Sequence, residues 1–214
     1  MKDERSVGLH PRLLARGRRV LRPQDAAELY SNPRAEFRRM EGTGALRRIA
    51  TGYYAVVPQD RVGDPSWRPP MEDLALGIAV ADYGDDAALM GLTAARYHGA
   101  VPRAHAKAWI ATTVSRRPID GGPFGRIAFV TRDVRSLDLV RARTSVATGW
   151  VTSVEQTALD LMRRPSWADG KSAAADAVSR LLPRCDDALL DDLAAKQRGR
   201  AALDRARAAV ARER

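Results

Sequence analysis

Residues 31–58, SNPRAEFRRMEGTGALRRIATGYYAVVP, constrain the fold of this chain more than any other stretch, because they place a short helix directly before a tight hairpin. Asn32 before Pro33 is a helix opening. The Asn side chain can accept from an unpaired first-turn N–H, and Pro at the first helical position forfeits no hydrogen bond. Gly42-Thr43-Gly44 closes the helix. Two β-type runs follow, residues 45–50 and 53–58, and Thr51-Gly52 between them suits a two-residue reversal. At about 100° per residue, Phe37 and Met40 share one side of the helix, while Asn32, Ala35, Arg38 and Arg39 share the other. One face packs. The opposite face carries guanidinium groups beside small residues, which is what a helix needs to lie in a major groove and reach base edges.

The residues upstream complete a pattern. Leu9, Leu13 and Leu14 are spaced for a first helix that closes near Gly17, Val20-Leu21 allows a very short strand, and residues 23–30 read as a second helix opened by proline. The order is helix, strand, helix, turn, helix, hairpin, and it predicts a winged helix-turn-helix within residues 1–58. The residues expected to meet double-stranded DNA are Asn32, Arg34, Arg38 and Arg39 on the helix, with Arg47, Arg48, Thr51 and Tyr53 on the hairpin. Charge agrees in its placement. Residues 1–62 hold 13 Lys and Arg against 7 Asp and Glu, and the remaining 152 hold 23 against 19. Arg outnumbers Lys 32 to 4, a bias of composition, so the argument rests on where the charge falls and not on the total of +10.

Past the hairpin, residues 59–70 (QDRVGDPSWRPP) read as a linker on which Trp67 docks against a neighbour. Helices are expected over 71–81 and 87–98, strands over 108–114, 126–131, 139–144 and 149–152, and a hairpin connection at the glycine-rich 118–125. Ser153 with Gln156 forms a capping box that opens a helix through Met162. Helices over 169–182, 186–195 and 200–214 finish the chain, the last 19 residues holding seven basic and two acidic side chains. The fold class is therefore α+β: an N-terminal winged helix-turn-helix, a linker at 59–70, and a larger mixed α/β domain over 71–214 with a small sheet and a helical C-terminus. Tyr83-Gly84-Asp85-Asp86 looks like a metal-binding turn of template-directed polymerases, but the chain is too short for polymerase subdomains. Its acidic residues are expected to cap the following helix.

Other classes of function find little support. Cys185 stands alone, so neither an internal disulfide nor a cysteine-rich zinc site can form. The absence of a signal-like or membrane-length apolar run points to a cytoplasmic protein without membrane contact. His10, His98 and His105 do not have zinc-helix spacing, and no phosphate loop, dinucleotide fingerprint or nucleophile elbow occurs. Lys107, Asp133 and Asp138 are the only components for a metal-dependent nuclease. No enzyme activity, metal or cofactor is expected. A ligand-responsive repressor remains the alternative to a dedicated DNA-binding regulator.

Three segments together carry a family resemblance: the expected winged helix at 8–58, the run GLTAARYHG at 91–99 leading into strands, and VTSVEQTALD at 151–160 leading into a helix. They resemble the AbiEi-type antitoxin family, bacterial transcriptional regulators encoded with AbiEii-type nucleotidyltransferase toxins. The resemblance implies an autorepressor that binds repeated operator sites, with cooperative self-association on the DNA, and whose larger domain counters the co-encoded toxin. It marks His98, Thr157 and Asp160 as motif positions without a stated role. Chemistry alone suggests that Thr157 and Asp160 hold a helix to the sheet.

Overall fold

The computed structural model describes residues 8–15 and 17–212. The expected start of the chain before Gly8 and the last two residues of the C-terminal helix lie outside them. The N-terminal unit consists of α1 (Pro11–Leu14), β1 (Val20–Leu21), a 3-10 turn at Pro23–Ala26, α2 (Pro33–Gly42) and the strands β2 (Leu46–Ala50) and β3 (Tyr53–Val56). Asn32 caps α2 as its sequence position demands, its side-chain oxygen accepting from the Ala35 N–H at 3.2 Å, with Pro33 following. Phe37 and Met40 are fully buried, and Phe37 meets Tyr54 edge to face at 5.2 Å. The strands form an antiparallel sheet in the order β1-β3-β2.

The helix expected over residues 23–30 is a single 3-10 turn. Asp25 accepts from the Arg22 N–H at 2.8 Å and from Arg18 at 2.7 Å, which winds the backbone tightly. Asn32 is needed as the cap of α2, so too few residues remain to propagate an α-helix.

The rest of the chain runs α3 (Met71–Tyr83), β4 (Ala87–Leu89), α4 (Gly91–Tyr97), β5 (Lys107–Thr112), β6 (Ile119–Asp120), β7 (Arg126–Thr131), β8 (Leu139–Arg143), β9 (Thr148–Thr152), α5 (Val154–Arg163), α6 (Lys171–Leu181), α7 (Asp187–Lys196) and α8 (Arg200–Arg212). Six strands make one sheet in the order β6-β7-β5-β4-β9-β8. Pairs β4–β9 and β5–β7 are parallel, and the others are antiparallel. Alternate residues serve opposite faces. Ala108 and Ile110 pack with α3, whereas Trp109 and Ala111 pack with α4, α5 and α6.

The helix expected over 87–98 divides into β4 and α4. Ala87, Ala88 and Leu89 are buried on both faces of the sheet, and such a strand shows no alternation that would separate it from a helix. The carboxylates of Asp85 and Asp86 therefore precede a strand and cap nothing. Asp85 instead pairs with Arg141 at 2.6 Å.

Helix α3 also serves the N-terminal unit. Val20, Ile49, Tyr53 and Ala55 belong to the same buried cluster as Leu74, Ile78, Leu89 and Ile110. Trp67 packs against this cluster too, so the 59–70 segment lies on the protein along its length at that point. The approach of β1 to α3 is close: a Cβ on Gly77 would stand 2.3 Å from Val20 Cγ2 and 3.2 Å from Val146 Cγ2. In an exposed helix, Gly→Ala gains about 1 kcal/mol. Here Gly77→Ala is expected to destabilise the protein by about 1–3 kcal/mol through overpacking, with much of the loss restored by adding Val20→Ala. Urea denaturation of the single and double variants measures both effects.

Candidate functional site

The N-terminal unit carries exposed basic side chains on α2 and at the hairpin turn. Arg34, Arg38 and Arg39 of α2 are exposed, as are Arg48 and Thr51 on the hairpin. Arg39 pairs with Glu36 at 3.0 Å, an exposed i, i+3 contact that a phosphate can readily displace. Arg48 reaches toward the Thr51 hydroxyl at 3.5 Å. Asn32 is exposed but committed to its helix cap.

Two of the expected hairpin contacts point elsewhere. Arg47 donates to the Asp64 carbonyl at 2.7 Å and the Pro65 carbonyl at 3.0 Å, tying the 59–70 segment to β2. Tyr53 is only 3% exposed. Strand β3 is the central strand of its sheet, with Tyr54 and Val56 facing α2 and Tyr53 and Ala55 facing α3, so both of its faces are covered. Tyr53 cannot meet a nucleic acid from that position.

Its hydroxyl belongs to a polar node at the junction of the two units. Tyr53 donates to Asp82 Oδ2 at 2.5 Å and accepts from Arg116 at 2.6 Å. Asp82, its side chain 5% exposed, pairs with Arg22 at 2.6 Å on one side and with Arg116 on the other. The Arg116 guanidinium also lies over the rings of Tyr83 and Phe129, at 5.6 and 5.0 Å. Burial, reinforced by the hydrogen bond to Asp82, pushes the Tyr53 phenol above its ordinary pKa. No motif in the sequence announces this node, because Arg22, Tyr53, Asp82 and Arg116 come from four separate segments of the chain.

The three motif positions converge inside the larger domain. Thr157 Oγ1 contacts Thr152 Oγ1 at 2.7 Å and the Thr152 carbonyl at 3.1 Å, and His98 Nε2 donates to the same carbonyl at 2.7 Å. Burial holds the His98 imidazole below the usual histidine pKa. Asp160 is fully buried and accepts from Arg132 at 2.5 Å and from Gln156 at 2.9 Å. Gln156 and Gln197 exchange two side-chain hydrogen bonds of 2.6 and 3.0 Å, bringing the end of α7 into the network. Arg132 stacks over Trp167 at 5.4 Å. The partners Arg132 and Gln197 were invisible in the sequence, lying 28 and 37 residues from Asp160. Gly91 marks the other close approach, since a Cβ there would stand 2.6 Å from the Trp167 carbonyl oxygen, and its φ of +56° suits glycine.

The candidate nuclease residues are not assembled. Lys107 opens β5, and Asp133 and Asp138 follow the far end of the parallel strand β7, about 20 Å away at strand rise. Among the described residues, no group of three or more His, Cys, Asp or Glu could hold a metal ion, and no helix is long and apolar enough to cross a membrane.

Most of the larger domain, from residue 86 to residue 210 and including His98, Thr157 and Asp160, matches the family model "AbiEi antitoxin C-terminal domain". The chain belongs to the AbiEi antitoxin family. Membership supports an antitoxin role within a toxin–antitoxin system. A search of curated proteins gave no match. Among solved structures, the crystal structure of the RV2827C protein from Mycobacterium tuberculosis is similar with a TM-score of 0.58 and 18% identity, over 90% of this chain and 75% of that one. At that identity the likeness is one of fold. It extends beyond the antitoxin domain into the N-terminal unit, since the family match alone spans residues 86–210.

The motif geometry in this AbiEi-family protein carries a direct expectation. Asp160→Ala leaves the Arg132 guanidinium uncompensated in the interior and is expected to cost about 3–5 kcal/mol of stability. Denaturant titration against the parent chain measures it. A cost below about 1 kcal/mol, the range of exposed pairs, would remove the structural role given to this position.

Proposed function

We propose that this AbiEi-family antitoxin binds operator DNA through residues 1–58, acting as a winged helix, and represses its own promoter, while residues 71–214 counter a co-encoded nucleotidyltransferase toxin. The protein would act in the cytoplasm by binding and not by catalysis. The observation that carries the reading is the exposed guanidinium face of α2, with Arg34, Arg38 and Arg39 unburied, together with the exposure of Arg48 and Thr51 at the hairpin turn. The opposite face, with Phe37 and Met40, is spent on the core. Helix α2 then serves as the recognition helix, and the hairpin as a wing on the phosphate backbone. Repeated operator sites would let copies associate cooperatively.

The division of labour on the hairpin gives the reading a sharp form. Arg48 is available to a phosphate and Arg47 is held by two backbone carbonyls. Fluorescence anisotropy with DNA from the upstream promoter region should show the double variant Arg38→Ala, Arg39→Ala losing affinity at least about tenfold, the scale of a lost base or phosphate contact. Arg48→Ala should lower the slope of log affinity against log salt by about one, and Arg47→Ala should leave that slope unchanged. Unchanged affinity in the α2 variant would reject α2 as the recognition helix.

A further inference from the structure

Helices α6 and α8 both pack on α5, and a groove of about 240 Å³ runs between them. Leu161 and Met162 of α5 lie at its base. On α6 the lining begins at Lys171 and recurs at i+3, i+4 and i+7. On α8 it begins at Ala202 and recurs at the same spacing. Each helix therefore turns one face to the groove. Alanine fills most of these wall positions, so the walls are low and the apolar base can be reached by side chains from outside.

The charges around the groove have one sign. Lys171 and Arg205 are the charged residues of its lining, both are exposed, and neither is paired among the described residues. Asp176 and Asp204, the carboxylates of the same two helices, project from other faces and do not line it. The volume of about 240 Å³ falls below the roughly 300–1,000 Å³ of small-molecule sites. An apolar slot of that size between cationic edges suits the anchoring side chains of a macromolecule. A second copy of the chain is a poor fit. Its acidic surface helix, α7, has Asp187 and Asp191 on Arg207 and Asp192 on Lys196, with Leu190 and Leu193 buried.

We propose that this groove receives an amphipathic helix of a partner protein, one that carries Asp or Glu on either side of an apolar stripe. The stripe enters the slot above Leu161 and Val178, and the carboxylates meet Lys171 and Arg205, which is the helix-in-groove mode of recognition. A helix with cationic flanks meets like charge and is rejected. No residue of the groove belongs to the N-terminal unit, so the proposal goes beyond the operator reading and is measured without DNA.

The test is fluorescence anisotropy of the full chain with a labelled peptide of about 16 residues, enough for four helical turns. Leucines at i, i+3, i+4 and i+7 form its stripe, and glutamates flank them. A second peptide has lysine in place of every glutamate. The glutamate peptide should bind with a micromolar Kd, and the lysine peptide at least about tenfold more weakly. Lys171→Glu together with Arg205→Glu should reverse that order. Ala175→Trp, at an exposed rim position, should keep the melting temperature and abolish binding of the glutamate peptide. Absence of binding by either peptide at millimolar concentration would overturn the proposal. So would equal binding of the two, or binding indifferent to both Ala175→Trp and the charge reversal. Light scattering on the same samples adds one more contrary outcome: a dimer that Ala175→Trp disperses would make a second copy the occupant.

Discussion

The carboxylate of Asp82 holds the two units of this protein in one arrangement. It sits at the C-terminal end of α3, nearly excluded from solvent, and takes Arg22 from the N-terminal unit and Arg116 from the larger domain. A buried charge is tolerable only when its lone pairs are used, and here two guanidinium groups and the Tyr53 hydroxyl use them. Each of those three partners is costly to remove, because each would leave another polar group unpaired. Apolar packing of Val20 on Gly77, about a turn and a half back along α3, closes the same junction. A unit expected to hang from a linker is thereby part of the core.

A second buried network plays the matching role inside the larger domain. Asp160, Arg132, Gln156 and Gln197 join α5, the segment after β7 and the end of α7, while Thr157 and His98 meet at the carbonyl of Thr152. These side chains hydrogen-bond to one another, so the network specifies how the C-terminal helices sit on the sheet. The positions that carry the family resemblance, His98, Thr157 and Asp160, are therefore, in this chain, part of a framework that positions the C-terminal helices.

Much of the local structure was legible from the residues. Asn32-Pro33 opened α2, the Ser153 cap opened α5, and Thr51-Gly52 turned the hairpin, because caps and turns are decided within a few residues. The expected capping box closed only by half, since the Gln156 side chain turns to Asp160 and Gln197 and the Ser153 N–H donates to the Asp138 carbonyl. What depends on long-range packing was not legible. Ala87-Ala88-Leu89 became a strand because β5 and β9 lie on either side of it, and residues 23–30 lost their helix to the Asp25 turn. The site followed the same rule. Exposed arginines on α2 were readable from helical periodicity, whereas the fate of Tyr53 and Arg47 depended on which elements cover β3 and where the 59–70 segment runs.

If the shared core and the Asp82 node make the N-terminal unit and the antitoxin domain a single body, they must unfold together. Differential scanning calorimetry of the full chain tests this most directly. The account predicts one transition whose calorimetric and van't Hoff enthalpies agree. Two resolved transitions, the first leaving the larger sheet folded, would contradict it.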